Sequence, residues 1–205
     1  MELYDYKETV RKSINQQASA YGWWLSKPYQ NECFIQLEPL QGDVPCEFVA
    51  AVEHAQVPVI LQQLERASKQ GPVAGKEMRS VRFTVTGVSD TEFPTVRGWQ
   101  LAVEGWLASA GQKAGAVLLE PIFRVNVLIE EEDLGLVIAE LNQRRGVIEE
   151  LSDHEGHKEI RASVPASRLD GWDDALDSLT RGTGVSGREF LRYAEAPEGT
   201  LKPKE

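Results

Sequence analysis

Five residues near the start of the chain combine side-chain types that suit the binding of unpaired nucleic-acid bases. Trp23, Trp24, Lys27, Pro28 and Tyr29 offer stacking surfaces, a cation and a stiff proline within one short stretch. The alternative is that the tryptophans pack into a core and that Lys27-Pro28-Tyr29 forms a solvated turn, because aromatic side chains usually end in cores. The sequence leaves both interpretations open.

A second group of candidates consists of arginines in the second half of the chain, which can contact nucleic acid or a partner protein. They are Arg144, Arg145, Arg181 and Arg188. Arg144 and Arg145 end a predicted helix, where a cation complements the helix dipole. For these two residues a structural role and a binding role remain equally open.

Residue patterns that would indicate catalysis or cofactor binding are missing from the sequence. The chain contains no G-x-x-x-x-G-K-[ST] motif, so we expect no nucleotide site and no enzyme activity from it. Cys33 and Cys46 lack the orienting partner of a nucleophile. His154 and His157 lie in a predicted hairpin turn without further ligand spacing. We therefore expect neither a metal nor another cofactor.

The overall composition is that of a globular cytoplasmic protein with reduced thiols. No apolar run approaches the roughly 20 residues of a membrane helix, so we expect no membrane partner. The net charge of −10 is uneven: residues 1–119 hold 11 Lys and Arg against 13 Asp and Glu, and residues 120–205 hold 11 against 19. Phosphate contacts need concentrated cations, so any RNA contact must come from local patches. No small-molecule substrate is predicted, and the oligomeric state is left open.

Hydrophobic periodicity in the second half predicts alternating strands and helices. A short apolar run closed by Pro121 precedes a period-two strand over 123–130, and helical spacing begins at Leu134. Gly146 is the predicted left-handed stop of that helix. A hairpin turning at 153–156, a helix from Trp172 and a last strand over 188–193 follow. The order βαββαβ is that of a ferredoxin-like domain.

The first half is predicted to contain strands and two helices. Strands are expected over 3–10, 33–38 and 81–86, with a polar segment at 13–20 and a turn-rich loop at 87–98. One helix begins near Pro58. The other carries Trp99 and Trp106 on a single apolar face, and this spacing favours a core position for both tryptophans.

Several sequence motifs of the chain resemble motifs of elongation factor G. The stretch LLEPI followed by E-x-x-G-x-V-I-x-x-L-N-x-R-R-G-x-I resembles the start of that family's last domain. Ile160-Arg161-Ala162-x-Val164-Pro165, Glu189-Phe190-x-x-Tyr193 and, in the first half, FIQLEPL are similar to the same family. The resemblance covers essentially the whole chain.

The resemblance implies an α+β fold made of the fourth and fifth domains of an elongation factor G or elongation factor 2 type GTPase, without the nucleotide domain. Residues 1–119 would form a left-handed βαβ domain, 120–197 a ferredoxin-like domain and 198–205 a polar tail. The implied partner is the ribosome, with the first domain entering the A site and the second docking at ribosomal RNA and proteins of the stalk base. A longer parent protein would be a GTPase.

The sequence departs from the family at the two loops that form the tip of the first domain. The family's glycine-rich tip loop is replaced by 25–32, LSKPYQNE, and the second loop, 87–97, has no histidine. Phe93 and Arg97 are the contact candidates of that second loop. Thr183 stands where the family usually has arginine. The family's tip residues therefore do not carry over to this chain.

Three functions are consistent with this sequence. The first is a ribosome-binding translation-factor module of the elongation factor G type. The second is a ribosomal protection factor, similar to those of tetracycline resistance, that displaces a drug with residues 26–31. The third is a repurposed domain pair that binds a protein partner and no ribosome.

Overall fold

The computed structural model describes residues 4–24, 26–90, 93–197 and 199–200. The chain divides into two compact units. The first unit combines Tyr6–Leu119 with Glu195–Glu205, and the second unit combines Met1–Asp5 with Glu120–Ala194. The predicted segments 1–119 and 120–197 differ from these units at the chain ends. Ala196 N donates to Leu118 O at 2.9 Å, which joins the end of the chain to the first unit.

The first unit contains both strands and helices, in keeping with the predicted α+β class. They are β1 (Lys7–Val10), β2 (Ile14–Trp24), β3 (Lys27–Pro39), β4 (Glu47–Ala50), α1 (Val57–Ser68), β5 (Val81–Val88) and α2 (Val96–Lys113). The sheet has the order β2-β3-β5-β4. Strand β4 runs parallel to β5, and α1 connects them as a βαβ unit.

The core of the first unit lies between this sheet and the two helices. Ile35, Leu37, Phe83 and Val85 alternate along β3 and β5 and are fully buried. Trp99 and Trp106 of α2 pack into the same cluster, which confirms their predicted core position. Trp99 Nε1 donates to Gln56 Oε1 at 3.0 Å, so the polar atom of this buried ring has a partner.

The predictions for the early part of the first unit were wrong in two places. Residues 14–20 of the polar segment belong to β2, and residues 27–31 belong to β3 instead of a loop. The two strands pair in register from Ile14↔Leu37 to Trp24↔Lys27 as one long antiparallel hairpin. Strand β4 was not predicted. Residues 3, 25, 91, 92, 198 and 201–205 of the predicted strand, loops and tail lie outside the described residues.

The second unit has the predicted ferredoxin-like order βαββαβ. Its elements are β6 (Ala116–Ile129), α3 (Leu134–Gln143), β7 (Val147–His154), β8 (His157–Pro165), α4 (Trp172–Thr180) and β9 (Val185–Glu195). The first four residues of β6 and the last residue of β9 belong to the first unit. Strand β6 pairs with both β8 and β9, and β8 pairs with β7. Val125, Val127 and Ile129 face the helices and form the core with residues of α3, β8 and α4.

Two local predictions in the second unit need correction. Pro121 does not end a strand, because β6 continues through it. The proline lies between Ala116–Leu119, which pair with β1, and Ile122–Ile129, which pair with β8, so neither of these two ladders needs its missing N–H. The left-handed residue after α3 is Arg145, with φ of 60°, and not Gly146. Gly146 is needed for space, because a Cβ there would lie 2.7 Å from Leu141 O.

No helix in the described part of the chain is both long enough and apolar enough to span a membrane.

Candidate functional site

The end of the β2–β3 hairpin brings most of the first-half candidates together. Strand β5 pairs with β3 only at Cys33–Pro39, so residues 21–24 and 26–30 form a two-stranded projection, here called the hairpin tip. Within it Trp23 is paired with Pro28 and Trp24 with Lys27. Ser26, in the turn between the strands, has a positive φ of 66°. The side chain of Trp24 lies outside the described part of the structure.

The aromatic side chains of one face of the hairpin tip are exposed. Trp23 is 75% exposed and Tyr21 is 61% exposed. They are two residues apart on β2 and therefore project from the same side of the strand. The interpretation of Trp23 as a core residue is wrong, and so is that of Lys27-Pro28-Tyr29 as a simple turn.

Tyr29 lies across Gly22 on the neighbouring strand. A Cβ built on Gly22 would lie 2.6 Å from Cε1, Cζ and Oη of the Tyr29 ring. Only glycine leaves room for the ring at this position. The ring therefore covers the backbone of β2, and Tyr29 is partly buried by this contact.

The cations of the tip have no acidic partner in the described part of the chain. Lys27 Nζ lies 4.8 Å from the centroid of the Phe93 ring, a cation–π contact between the hairpin and the loop before α2. Arg97, in the first turn of α2, is exposed, and neither it nor Lys27 forms an ion pair with a described residue. Lys27 and Phe93 are therefore neighbours in the structure, a contact that the sequence alone did not predict.

Two residues that the sequence analysis did not single out fix the tip to the rest of the first unit. Asn31 is fully buried, and its Nδ2 donates to Thr95 O at 3.2 Å. Thr95 caps α2 by accepting from Gly98 N at 2.9 Å. Glu32 accepts hydrogen bonds from Ser89 Oγ and Tyr21 Oη, both at 3.0 Å. These two bonds lower the pKa of the Glu32 carboxyl, and the bond from Ser89 has the larger effect.

A concavity of about 750 Å³ opens beside the hairpin tip. It is lined by residues of both strands and by one residue of the loop after β5: Tyr21, Gly22, Trp23, Pro28, Tyr29, Gln30 and Asp90. Asp90 Oδ1 lies 3.2 Å from His54 Nε2. The proximity of Asp90 to the hairpin carried no signal in the sequence, because it is a contact between segments about 60 residues apart in the chain.

The arginine candidates of the second unit fall into two kinds. Arg144 is a structural residue: its Nη1 donates to the carbonyls of Arg168 and Asp170, each at 2.8 Å, and its Nε to Glu140 at 2.7 Å. Its side chain is only 16% exposed. Arg145 Nη2 donates to Glu120 at 2.7 Å and so neutralises a buried carboxylate.

Arg181 and Arg188 remain accessible. Their side chains are 81% and 49% exposed and lie 3.3 Å and 3.4 Å from Glu132 and Asp173. Exposed pairs of this length are weak, so both guanidinium groups can exchange an intramolecular partner for an external one.

The residues considered for metal binding lie beside charged neighbours, and the cysteines considered as nucleophiles have raised pKa values. Asp153 pairs with Lys158 at 2.6 Å, and His157 lies 3.2 Å from Glu130. Among the described residues no cluster of three or more His, Cys, Asp or Glu is placed to hold a metal ion. Burial raises the pKa of the Cys33 thiol to about 12 and that of Cys46 to about 11, which makes both poor nucleophiles at neutral pH.

Comparisons with known proteins agree with the fold and with the resemblance in the sequence. Residues 117–203 match the family model described as elongation factor G C-terminus. A crystal structure of the protein ttk003000868 from Thermus thermophilus is similar to 95% of this chain, with a TM-score of 0.79 and 27% sequence identity. The matched part is 30% of the length of that protein. Residues 117–203 of this chain are therefore similar to the C-terminal domain of elongation factor G.

Proposed function

We propose that this translation-factor-like module binds the ribosome, with the hairpin tip of the first unit as an RNA contact. The observation that carries the proposal is the exposed Lys27, whose Nζ lies 4.8 Å from the centroid of the Phe93 ring, with the exposed Arg97 four residues after Phe93 in the chain. Neither cation forms an ion pair with a described residue, and accessible cations are what phosphate contacts require. The match of the second half to the elongation factor G C-terminus supports the same partner.

The mechanism of such a module is steric and positional. The hairpin is tied to α2 through Asn31 and Thr95, so its end is held as a rigid projection. We infer that the first unit enters the ribosomal A site, at the decoding centre of the small subunit. The second unit would dock at the stalk base through accessible cations such as Arg181 and Arg188. The free energy for any movement would come from a GTPase domain.

Ribosome co-sedimentation at several salt concentrations tests this proposal. The double variant Lys27→Gln with Arg97→Gln should bind about tenfold more weakly at low salt, with a shallower dependence on salt, because two phosphate contacts are lost. The control is Lys12→Gln with Arg66→Gln, which removes the same charge from exposed positions outside the tip. If the unchanged protein fails to sediment with ribosomes, the proposal is wrong, and a protein-binding role is favoured.

Displacement of a ribosome-bound drug is a second candidate. The position of Lys27 and Pro28, both exposed at the end of the hairpin, favours it, because a protruding side chain there can reach a buried site on the ribosome. Release of labelled tetracycline from ribosomes should then fall with Tyr29→Ala and Lys27→Ala. Release that is the same with and without the protein would exclude this candidate while leaving ribosome binding intact.

A further inference from the structure

The concavity beside the hairpin tip has aromatic and apolar walls. Tyr21 and Trp23 project from one side of β2, and Pro28 lies across from Trp23 on β3. Exposed aromatic residues that adjoin one another in a concave surface mark sites of interaction, whereas isolated exposed side chains do not. A volume of about 750 Å³ is large enough for one or two side chains of a bound partner.

The charges around this concavity are negative. The carboxylate of Asp90 lines it and is fully exposed to solvent. The carboxylate of Glu32 accepts the hydroxyl hydrogen of Tyr21 at 3.0 Å and so lies at the edge of the same aromatic wall. None of the described lining residues is lysine or arginine. The nearest cation on the hairpin, Lys27, lies over Phe93 instead.

We propose that this concavity binds an arginine side chain presented by a basic peptide segment of a partner protein. A guanidinium group stacks on an aromatic face and forms two parallel hydrogen bonds to a carboxylate, and Trp23 with Asp90 supplies both features. A nucleic-acid strand would stack on the same rings, but its phosphates would be repelled by Asp90 and Glu32. The charge pattern therefore favours a peptide over RNA at this site. The inference goes beyond ribosome binding and does not depend on it.

Fluorescence anisotropy with labelled nine-residue peptides tests the proposal on the full chain. The probes are a (Gly-Arg-Gly)3 peptide, the same peptide with lysine, and the same peptide with citrulline, which keeps the shape of arginine but has no charge. We expect the arginine peptide to bind most tightly, the lysine peptide more weakly, and the citrulline peptide at least about tenfold more weakly than arginine.

Variants locate the site. Trp23→Ala should raise the Kd for the arginine peptide about fivefold, as expected for loss of a cation–π contact, and Asp90→Asn should raise it about threefold. Phe34→Ala is the matched control, because Phe34 is an exposed aromatic residue of β3 that does not line the concavity. Its Kd should change less than twofold.

A nine-residue oligouridine labelled in the same way separates the two kinds of partner. Tighter binding of the RNA than of the arginine peptide, lost in Trp23→Ala and strengthened in Asp90→Asn, would overturn the proposal in favour of a nucleobase site. Equal binding of the arginine and citrulline peptides would also overturn it. Ribosome co-sedimentation is measured separately, so a failure here leaves the proposed function intact.

Discussion

The side-chain oxygen of Asn31 occupies the space into which a side chain at Gly98 would project. The start of α2 and the hairpin are therefore in direct contact, and Thr95 N also donates to Asn31 Oδ1, at 3.4 Å. Because Asn31 is fully buried, it has no room to move aside.

Gly98→Ala should therefore destabilise the first unit, although glycine-to-alanine changes inside helices usually stabilise them by about 1 kcal/mol. The added methyl group would overlap Asn31, and overpacking of this kind costs about 1–3 kcal/mol. Gly105→Ala in the same helix is the control, because its Cβ would meet nothing within 4 Å. In urea unfolding, the free energy of unfolding of Gly98→Ala should be lower than that of the unchanged protein, and that of Gly105→Ala should be higher. A Gly98→Ala variant as stable as Gly105→Ala would contradict the contact.

Glu8→Gln should also destabilise the first unit. Glu8 is fully buried, and its carboxylate accepts hydrogen bonds from the backbone N–H groups of Val73, Ala74 and Lys76 at 2.8, 2.7 and 2.9 Å. An amide turns one acceptor into a donor that faces these N–H groups. We expect a loss of about 2–3 kcal/mol in the free energy of unfolding.

Glu104→Gln is the matched control for Glu8→Gln, because Glu104 is an exposed residue of α2 hydrogen-bonded to Gln100. Its unfolding free energy should change by less than about 0.5 kcal/mol. Equal effects of the two substitutions in urea unfolding would show that the turn at 71–76 does not depend on the buried carboxylate.

The parts of this fold that could be predicted are those in which the local pattern agrees with the tertiary structure. The alternation from Phe123 to Ile129 and the helical spacing of Trp99 and Trp106 each bury one face of an element, so periodicity alone identifies them. The segment 13–20 carried no such pattern, because its glutamine, asparagine and serine residues have little strand preference. Its pairing with β3 makes it a strand, and that pairing is a tertiary contact that local preference does not reveal.

The candidate site was predictable in composition but not in geometry. The residue types of Trp23, Lys27 and Tyr29 predict stacking surfaces and a cation, and their role in binding stays a prediction, while Pro28 suggested a loop. Proline is tolerated there because β5 pairs with β3 only from Cys33 onward, which leaves this part of β3 at the edge of the sheet. The contributions of Asp90 and Asn31 depend on contacts between segments far apart in sequence, which no local pattern reveals.

The stability of the first unit should depend on pH through Glu77. Hydrogen bonds from Lys69 and Lys7 lower the pKa of the Glu77 carboxyl below its ordinary value of 4.5, and the bond from Lys69 has the larger effect. A lowered folded-state pKa means that the stabilisation is complete above the ordinary pKa and is lost as the pH falls through the folded-state value. Glu77→Gln should therefore reduce the free energy of unfolding at pH 7 and have little effect at pH 3.

Urea unfolding of both proteins at intervals between pH 7 and pH 3 measures the difference directly. The gap between the two curves should begin to close below about pH 4.5. A gap that stays constant down to pH 3 would mean that the charge of Glu77 contributes nothing and that the substitution acts only through packing.

Removing the charge of Arg144 should lower the stability of the second unit, whereas removing the charge of Arg181 should leave its stability nearly unchanged. Arg144→Leu removes hydrogen bonds to two backbone carbonyls and a contact of the guanidinium with the Trp172 ring, 5.7 Å from its centroid. We expect it to lower the stability of the second unit by about 2–3 kcal/mol, because bonds from a charged donor are lost inside the unit. Thermal unfolding followed by circular dichroism measures this loss.

Arg181→Leu removes the same charge from an exposed side chain whose pairing with Glu132 is weak. Its melting temperature should stay within about 2 °C of the unchanged protein, while its binding to ribosomes should fall if the proposed docking is correct. Equal thermal shifts in the two variants would show that Arg144 does not hold the loop at 168–171. If Arg144→Leu binds ribosomes weakly at a temperature where the variant is fully folded, Arg144 contacts the ribosome directly.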